Sequence, residues 1–116
     1  MFSDQPIILS VIIPTRDRPE RVKLVLESLT KLNCPYEAEI LLLDNGSKPL
    51  EHIVSGRLAD FDLKVIRVEE PGLHVCRNLG AQVAQGRVLA YLDDDVDVSL
   101  SWAEGVQYIL DGKTDA

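Results

Sequence analysis

The chain has 116 residues, 46% of them hydrophobic and 27% charged, with six prolines and seven glycines. That allows one domain with its own core and excludes a disordered tail, a collagen-like repeat or a disulfide scaffold. Nineteen acidic against twelve basic residues give a formal net charge of −7, and with no Lys/Arg run such a surface repels nucleic acid. Cys34 and Cys76 are too few for a zinc site and read as reduced thiols. The longest apolar stretch, Ile7 to Ile13, falls far short of the roughly 20 residues of a bilayer span. Asp4 stands where a signal peptide would carry basic residues. The expected protein is soluble and cytoplasmic, with the cytoplasmic face of a membrane as a second placement.

Ile7 to Ile13 (IILSVII) is apolar and β-branched, as suits a strand covered on both faces. Pro14 lacks an N–H and is expected to end it. Asp17-Arg18-Pro19-Glu20 has the form of a capping box, with Asp17 as N-cap and Glu20 reaching back. Val22, Val25, Leu26, Leu29 and Leu32 follow at helical spacing, and Asn33-Cys34-Pro35 closes that helix. The second strand, Glu39 to Leu43 (EILLL), runs into the turn residues Asp44-Asn45-Gly46-Ser47. A short, weakly patterned helix is expected from Leu50 to Leu58.

Leu63 to Val68 (LKVIRV) alternates apolar and basic residues, the pattern of a strand with one exposed face. After the Glu69-Glu70-Pro71-Gly72 loop, Val75, Leu79, Val83 and Ala84 give a helical face, with Gly86 as its αL cap. Val88 to Leu92 (VLAYL) reads as another buried strand, followed at once by Asp93-Asp94-Asp95-Val96-Asp97. Ser101-Trp102-Ala103-Glu104 is a second capping box, opening a helix through Val106, Ile109 and Leu110. The order β-α-β-α-β-α-β-α predicts an α/β, Rossmann-like domain, a mostly parallel sheet with helices on both faces.

Parallel strands put all their carboxyl ends on one edge, where open α/β sheets bind ligands. Pro14-Thr15-Arg16, Asp44-Asn45-Gly46-Ser47, Pro71-Gly72 and Asp93-Asp94-Asp95 should therefore meet there. Three adjacent carboxylates repel one another unless a cation neutralises them, and hard divalent ions, Mg²⁺ or Mn²⁺, take such oxygen ligands. Asp93 and Asp95 can both turn toward one ion, with Asp94 between them pointing elsewhere. A diphosphate is the natural partner of that ion. Asp44 fits two roles equally, holding a base imide N–H or ribose hydroxyl, or capping its own turn. Taken singly, Arg16, Arg18, Arg21 and Arg77 read as solvated surface residues that could also meet phosphate. His52, His74 and Trp102 read as surface, capping and core residues.

Ser10-Val11-Ile12-Ile13-Pro14-Thr15, then Asp44-Asn45-Gly46-Ser47, then Arg77-Asn78-Leu79-Gly80 with Ala84, Gly86 and Leu92-Asp93-Asp94-Asp95, form an ordered set. That set resembles the inverting, metal-dependent nucleotide-sugar glycosyltransferases of family 2, and the similarity covers nearly all the chain from Leu9 onward. The resemblance implies the GT-A fold and a strand order of 3-2-1-4. It also implies donor contacts from Pro14, Thr15, Arg16, Asp44, Arg77, Asp93 and Asp94. Asp95 would be the main ligand of Mn²⁺ or Mg²⁺, with Asp93 beside it. The donor would be a UDP- or dTDP-sugar and the acceptor a hydroxyl of a saccharide or lipid-linked molecule. Gly72 and Gly80 are expected to serve conformation and packing.

In that family the base lies well downstream of the acidic motif, whereas this chain runs only about twenty residues past it. Nothing in the sequence supports Asp97 or Glu104 as base. Residues 1–116 are therefore expected to form a single donor-binding domain, the N-terminal part of a longer one. An exposed sheet edge would favour a homo-oligomer. A non-catalytic nucleotide-binding module is the main alternative. A nucleotidyltransferase would want a glycine-rich basic loop where Thr15-Arg16-Asp17-Arg18 stands. A receiver domain would want an acidic pair there and a lysine after the last strand.

Overall fold

The two most apolar runs of the chain lie side by side at the centre of the sheet. In the computed structural model, which describes residues 6–32, 34, 36–95, 104–106 and 108–109, these are β1 (Leu9–Thr15) and β2 (Ala38–Asp44). Both are buried along their whole length, as continuous β-branched and leucine runs should be in a parallel sheet. β4 (Phe61–Arg67) pairs parallel with β2, and β5 (Val88–Tyr91) pairs parallel with the other side of β1. A short strand, β3 (Gly56–Leu58), pairs antiparallel with β4 and gives the order β3-β4-β2-β1-β5. The observed order thus differs from the expected 3-2-1-4 by a fifth strand at one edge. The four strands read from the sequence become β4-β2-β1-β5.

Two helices cover opposite faces. α1 (Pro19–Thr30) lays Val22, Val25, Leu26 and Leu29 against Leu9, Val11, Ile13, Ile40 and Leu42. α2 (Leu73–Val83) puts Cys76 against Ile12, Leu41 and Leu43 on the other face. A Cβ on Gly80 would stand 2.6 Å from Ile12 Cγ2, so glycine lets α2 settle close to β1. The α/β class with helices on both faces holds.

Several local expectations are corrected. No helix forms over Leu50 to Leu58; that stretch is irregular and then becomes β3. Pro14 does not end β1 but sits within it, paired with Leu43. Strand alternation turns its nitrogen to the side of Ile12's carbonyl, which takes the last N–H from the β5 side, that of Leu92 at 3.0 Å. A missing N–H beyond that point breaks no bond. Asp17 is not the N-cap of α1; Arg18 holds that position, with no side-chain cap, and Pro19 opens the helix. Gly86 is not an αL cap, since α2 ends at Val83 with Ala84 extended. A Cβ on Gly86 would lie 2.7 Å from the Ser10 nitrogen, so its role is a close crossing of chains. β5 is an edge strand with Leu89 and Tyr91 exposed rather than a buried one. Residues 104–106 and 108–109 are helical, while the Ser101-Trp102-Ala103 part of the second capping box and Asp97 lie outside the described residues.

Candidate functional site

β1, β2 and β4 step one way across the sheet, and β5 returns to the far side of β1. The strand order therefore reverses between β1 and β5, and ligands of open α/β sheets bind outside the carboxyl ends at such a point. Thr15 ends β1 there, and its Oγ1 donates to Asp94 Oδ2 at 2.7 Å, joining residues 79 apart in sequence. Arg18, leading into α1, approaches Asp94 at 3.5 Å and Asp95 at 3.8 Å. Arg77 on α2 approaches Asp93 at 3.6 Å. The acidic run thus sits between Arg18, at the N-cap of α1, and Arg77 on α2.

Within that run Asp94 points away from its neighbours as expected, whereas Asp93 and Asp95 do not turn toward each other. Asp94 is the buried member, turned toward Thr15, while Asp93 and Asp95 are exposed and lean toward different arginines. β5 ends at Tyr91, and Asp94 and Asp95 already belong to a turn, so the two-residue period no longer governs their direction. The donor atoms are carboxylate oxygens, the chemistry a hard divalent ion requires. Asp93 and Asp95 each have one long arginine contact and stay open to coordination. Among the described residues no three acidic, His or Cys side chains converge on a metal position. An ion here would take its remaining ligands from water and a bound diphosphate.

The second wall of the site is built at the end of β2. Asp44 is almost fully buried, and its carboxylate is heavily used. Oδ1 accepts the Gly46 N–H at 3.1 Å and faces Arg67 Nη1 at 3.3 Å, while Oδ2 accepts the Leu50 N–H at 2.8 Å. Of the two roles weighed for Asp44, the turn-capping one is therefore observed. It also borders a cavity of about 420 Å³ whose lining includes Asp17, Lys23, Ser47, Leu50 and His52. Asp17 closes the near side. Its Oδ1 accepts the Ser47 N–H at 2.8 Å and the Ser47 hydroxyl at 3.0 Å, latching the β1–α1 loop to the β2–β3 loop. Those two bonds, the backbone one foremost, hold the Asp17 carboxyl below its usual pKa.

Gly46 lets the latch close. A Cβ there would meet Asp17 Oδ1 at 2.9 Å, the Lys48 carbonyl at 3.1 Å and the Asp17 nitrogen at 3.2 Å. Two of these atoms are backbone and cannot turn aside. Gly46→Ala should cost about 1–2 kcal/mol in urea unfolding. A variant as stable as the parent would show that the loops part without cost.

Asn45 and Arg67 are the residues that sequence reasoning passed over. Asn45 reads in the sequence as a turn residue, yet it is buried and joins the β2 end to the loop before α2. Its Nδ2 donates to the carbonyls of Val68 at 2.8 Å and Glu70 at 2.9 Å, and its Oδ1 accepts the Gly72 N–H at 2.9 Å. Arg67, expected on an exposed strand face, pairs with Asp44 and with Glu69. Neither role has a local signature, because the partners of Asn45 lie in the loop after β4 and Arg67 meets Asp44 from another strand, with only Glu69 close to it in sequence. Of the expected donor contacts, Thr15 and Asp94 bond at the β1/β5 junction, and Asp93, next in the chain, approaches Arg77. Pro14 lies buried in β1, Arg16 is exposed on the loop after it, and Asp44 stands at the β2 end.

The five-stranded, mostly parallel sheet with helices on both faces has the GT-A fold of the solved structures it superposes on. The chain belongs to glycosyl transferase family 2, whose model matches residues 10–116. It is 30% identical over 105 residues to the chondroitin synthase of Escherichia coli, covering 88% of this chain and 15% of that protein. It is 37% identical over 89 residues to an uncharacterized glycosyltransferase of Haemophilus influenzae, covering 76% of this chain and 29% of the relative. Among solved structures, S. aureus TarS 1-349 in complex with UDP-GlcNAc superposes with a TM-score of 0.74 at 25% identity, over 91% of this chain and 32% of that one. The chain thus spans less than a third of each of these proteins.

Proposed function

We propose that this chain carries the donor site of a glycosyltransferase and binds a nucleotide diphosphate sugar, a UDP- or dTDP-sugar, at the carboxyl edge of its sheet. The observation that carries the reading is the Thr15–Asp94 bond, which draws the end of β1 and the acidic run together where the strand order reverses. The UDP-GlcNAc complex of TarS supports a uridine nucleotide. Asp44 meets the nucleoside through the acceptor position its turn leaves free. Asp95, with Asp93, holds Mn²⁺ or Mg²⁺, and Arg77 stands where it meets phosphate. When bound, such an ion neutralises negative charge growing on the departing diphosphate. Asp94 keeps Thr15 and Arg18 in place at the rim. Sugar passes to an acceptor hydroxyl of a saccharide or lipid-linked molecule with inversion, using a base from outside the described residues.

We place residues 1–116, as one donor-binding domain within a longer GT-A domain, in the cytoplasm at or near a membrane face. The free thiols of Cys34 and Cys76 agree with a reducing compartment. Among the described residues no helix is long and apolar enough to cross a membrane.

UDP should raise the melting temperature in the presence of Mn²⁺ and barely move it in EDTA, because only a bound ligand stabilises the fold. Asp95→Ala should lose that rise while melting normally without ligand. An equal rise in EDTA, or an undiminished one in Asp95→Ala, would falsify the metal role. No rise under any condition would remove the donor site itself.

A further inference from the structure

Asp44 is a carboxylate with little freedom left. Two oxygens offer about four acceptor positions. Gly46 N–H and Arg67 occupy those of Oδ1, and Leu50 N–H takes one on Oδ2. One position on Oδ2 remains for a partner in the cavity that Asp44 borders. Where that position points depends on what fixes the carboxylate from behind.

Arg67 is the charged group behind it. It closes β4 directly opposite Asp44 in the parallel register. Its side chain is only 28% exposed, and Nη1 lies 3.3 Å from Asp44 Oδ1 and 3.5 Å from the Asp44 carbonyl. The guanidinium is itself steadied by Nε, which donates to Glu69 Oε1 at 3.1 Å. Arg67 does not line the cavity bordered by Asp44; it lines a separate hollow between the β4 end and α2, with His74, Asn78 and Gln82. Its link to the cavity runs through Asp44.

We infer that Arg67 is a positioning residue that locks the Asp44 carboxylate, so that the site distinguishes nucleobases by where they present an N–H. The inference rests on the donor site proposed above. Uracil offers an imide N–H at ring position 3. Cytosine has an acceptor nitrogen there and carries its N–H groups on the neighbouring amino substituent. A carboxylate held in one orientation meets the first and opposes the second. One held only by the Gly46 and Leu50 N–H groups can tilt toward either base, and discrimination falls. A lysine at this position restores charge but not the planar fork that reaches Asp44 and Glu69 together.

The test is calorimetry of UDP and CDP, each with Mn²⁺, on the parent chain, Arg67→Ala, Arg67→Lys and Glu69→Gln. The parent should prefer UDP by roughly tenfold, the worth of one well-placed hydrogen bond. Arg67→Ala should bring the ratio to about twofold or less, mainly by keeping CDP while losing UDP, with Arg67→Lys between. Glu69 is well exposed, so Glu69→Gln keeps the fold even where Arg67→Ala does not, and it should lower the ratio by a smaller factor. Equal weakening of both nucleotides, with the ratio unmoved in Arg67→Ala or in Glu69→Gln, marks a structural residue and overturns the inference. A parent chain that binds neither nucleotide overturns the donor site instead.

Discussion

Replacing Asn45 by alanine should lower the melting temperature by about 10 °C and cost roughly 3 kcal/mol. The amide fills three backbone positions at once, the carbonyls of Val68 and Glu70 and the N–H of Gly72. Alanine leaves all three without that partner, the Val68 carbonyl in a buried setting and the other two in a part-buried one, and unmet polar groups cost more than a formed bond gains. Asn45→Asp makes the argument sharper. It keeps the shape but sets an oxygen against two carbonyl oxygens, so it should be no more stable than Asn45→Ala. Both variants should also bind nucleotide more weakly, since the same amide holds the β2 end that carries Asp44. Denaturant unfolding decides the matter: a cost under about 0.5 kcal/mol for Asn45→Ala would show that water replaces the amide without loss.

The parts of the fold legible in the sequence are those where one segment decides its own state. IILSVII and EILLL are too uniformly apolar to be anything but doubly covered strands, and Val22, Val25, Leu26 and Leu29 can share a face only on a helix. Once the strands are parallel, the placement of Thr15, Asp44 and the acidic run on one edge follows. What could not be read depends on partners distant in sequence. Leu50, Ile53, Val54 and Leu58 have helical spacing, but His52 at φ 65° and Gly56 at φ 156° break any helix, and Leu50, Ile53 and Leu58 pack on the core from loop and strand instead. Asp17 and Glu20 have capping-box spacing. Yet Pro19 keeps Arg18 extended, at φ −135°, which moves the helix start one residue along. Asp17 is then left with φ 55° and Ser47 as its partner. LKVIRV alternates as an exposed strand would, and only the register with β2 shows that Lys64 and Arg67 turn to buried carboxylates.

Lys64 leads to the second large effect, at the opposite end of the sheet from the site. Glu39 on β2 is fully buried, and its Oε2 accepts the Ser10 hydroxyl at 2.7 Å and the Gln85 N–H at 2.8 Å. Lys64 Nζ lies 2.7 Å from Oε1. Ser10 Oγ in turn accepts the Gly86 N–H at 2.8 Å, so one carboxylate ties β1, β2, β4 and the turn before β5. Burial alone would raise the Glu39 pKa. The Gln85 N–H, Lys64 and Ser10 outweigh it and hold the group ionised below its usual value. Glu39→Ala should cost about 3 kcal/mol, because a buried charge network loses its acceptor, though Lys64 can turn to solvent and soften the loss. The sign with pH follows from the lowered pKa. The unfolded chain takes up the proton first as pH falls, so the contribution is whole above about pH 5 and drains away as acid reaches the folded-state value. The stability gap between parent and Glu39→Ala, followed by urea unfolding, should therefore be widest near neutrality and narrow below the ordinary carboxyl range. A gap that widens in acid would mean that Glu39 is held protonated, and one that stays constant would mean that Lys64, Ser10 and the Gln85 N–H do not favour the ionised form over the unfolded chain. Because the network lies away from the carboxyl edge, the folded fraction of Glu39→Ala should bind nucleotide as the parent does.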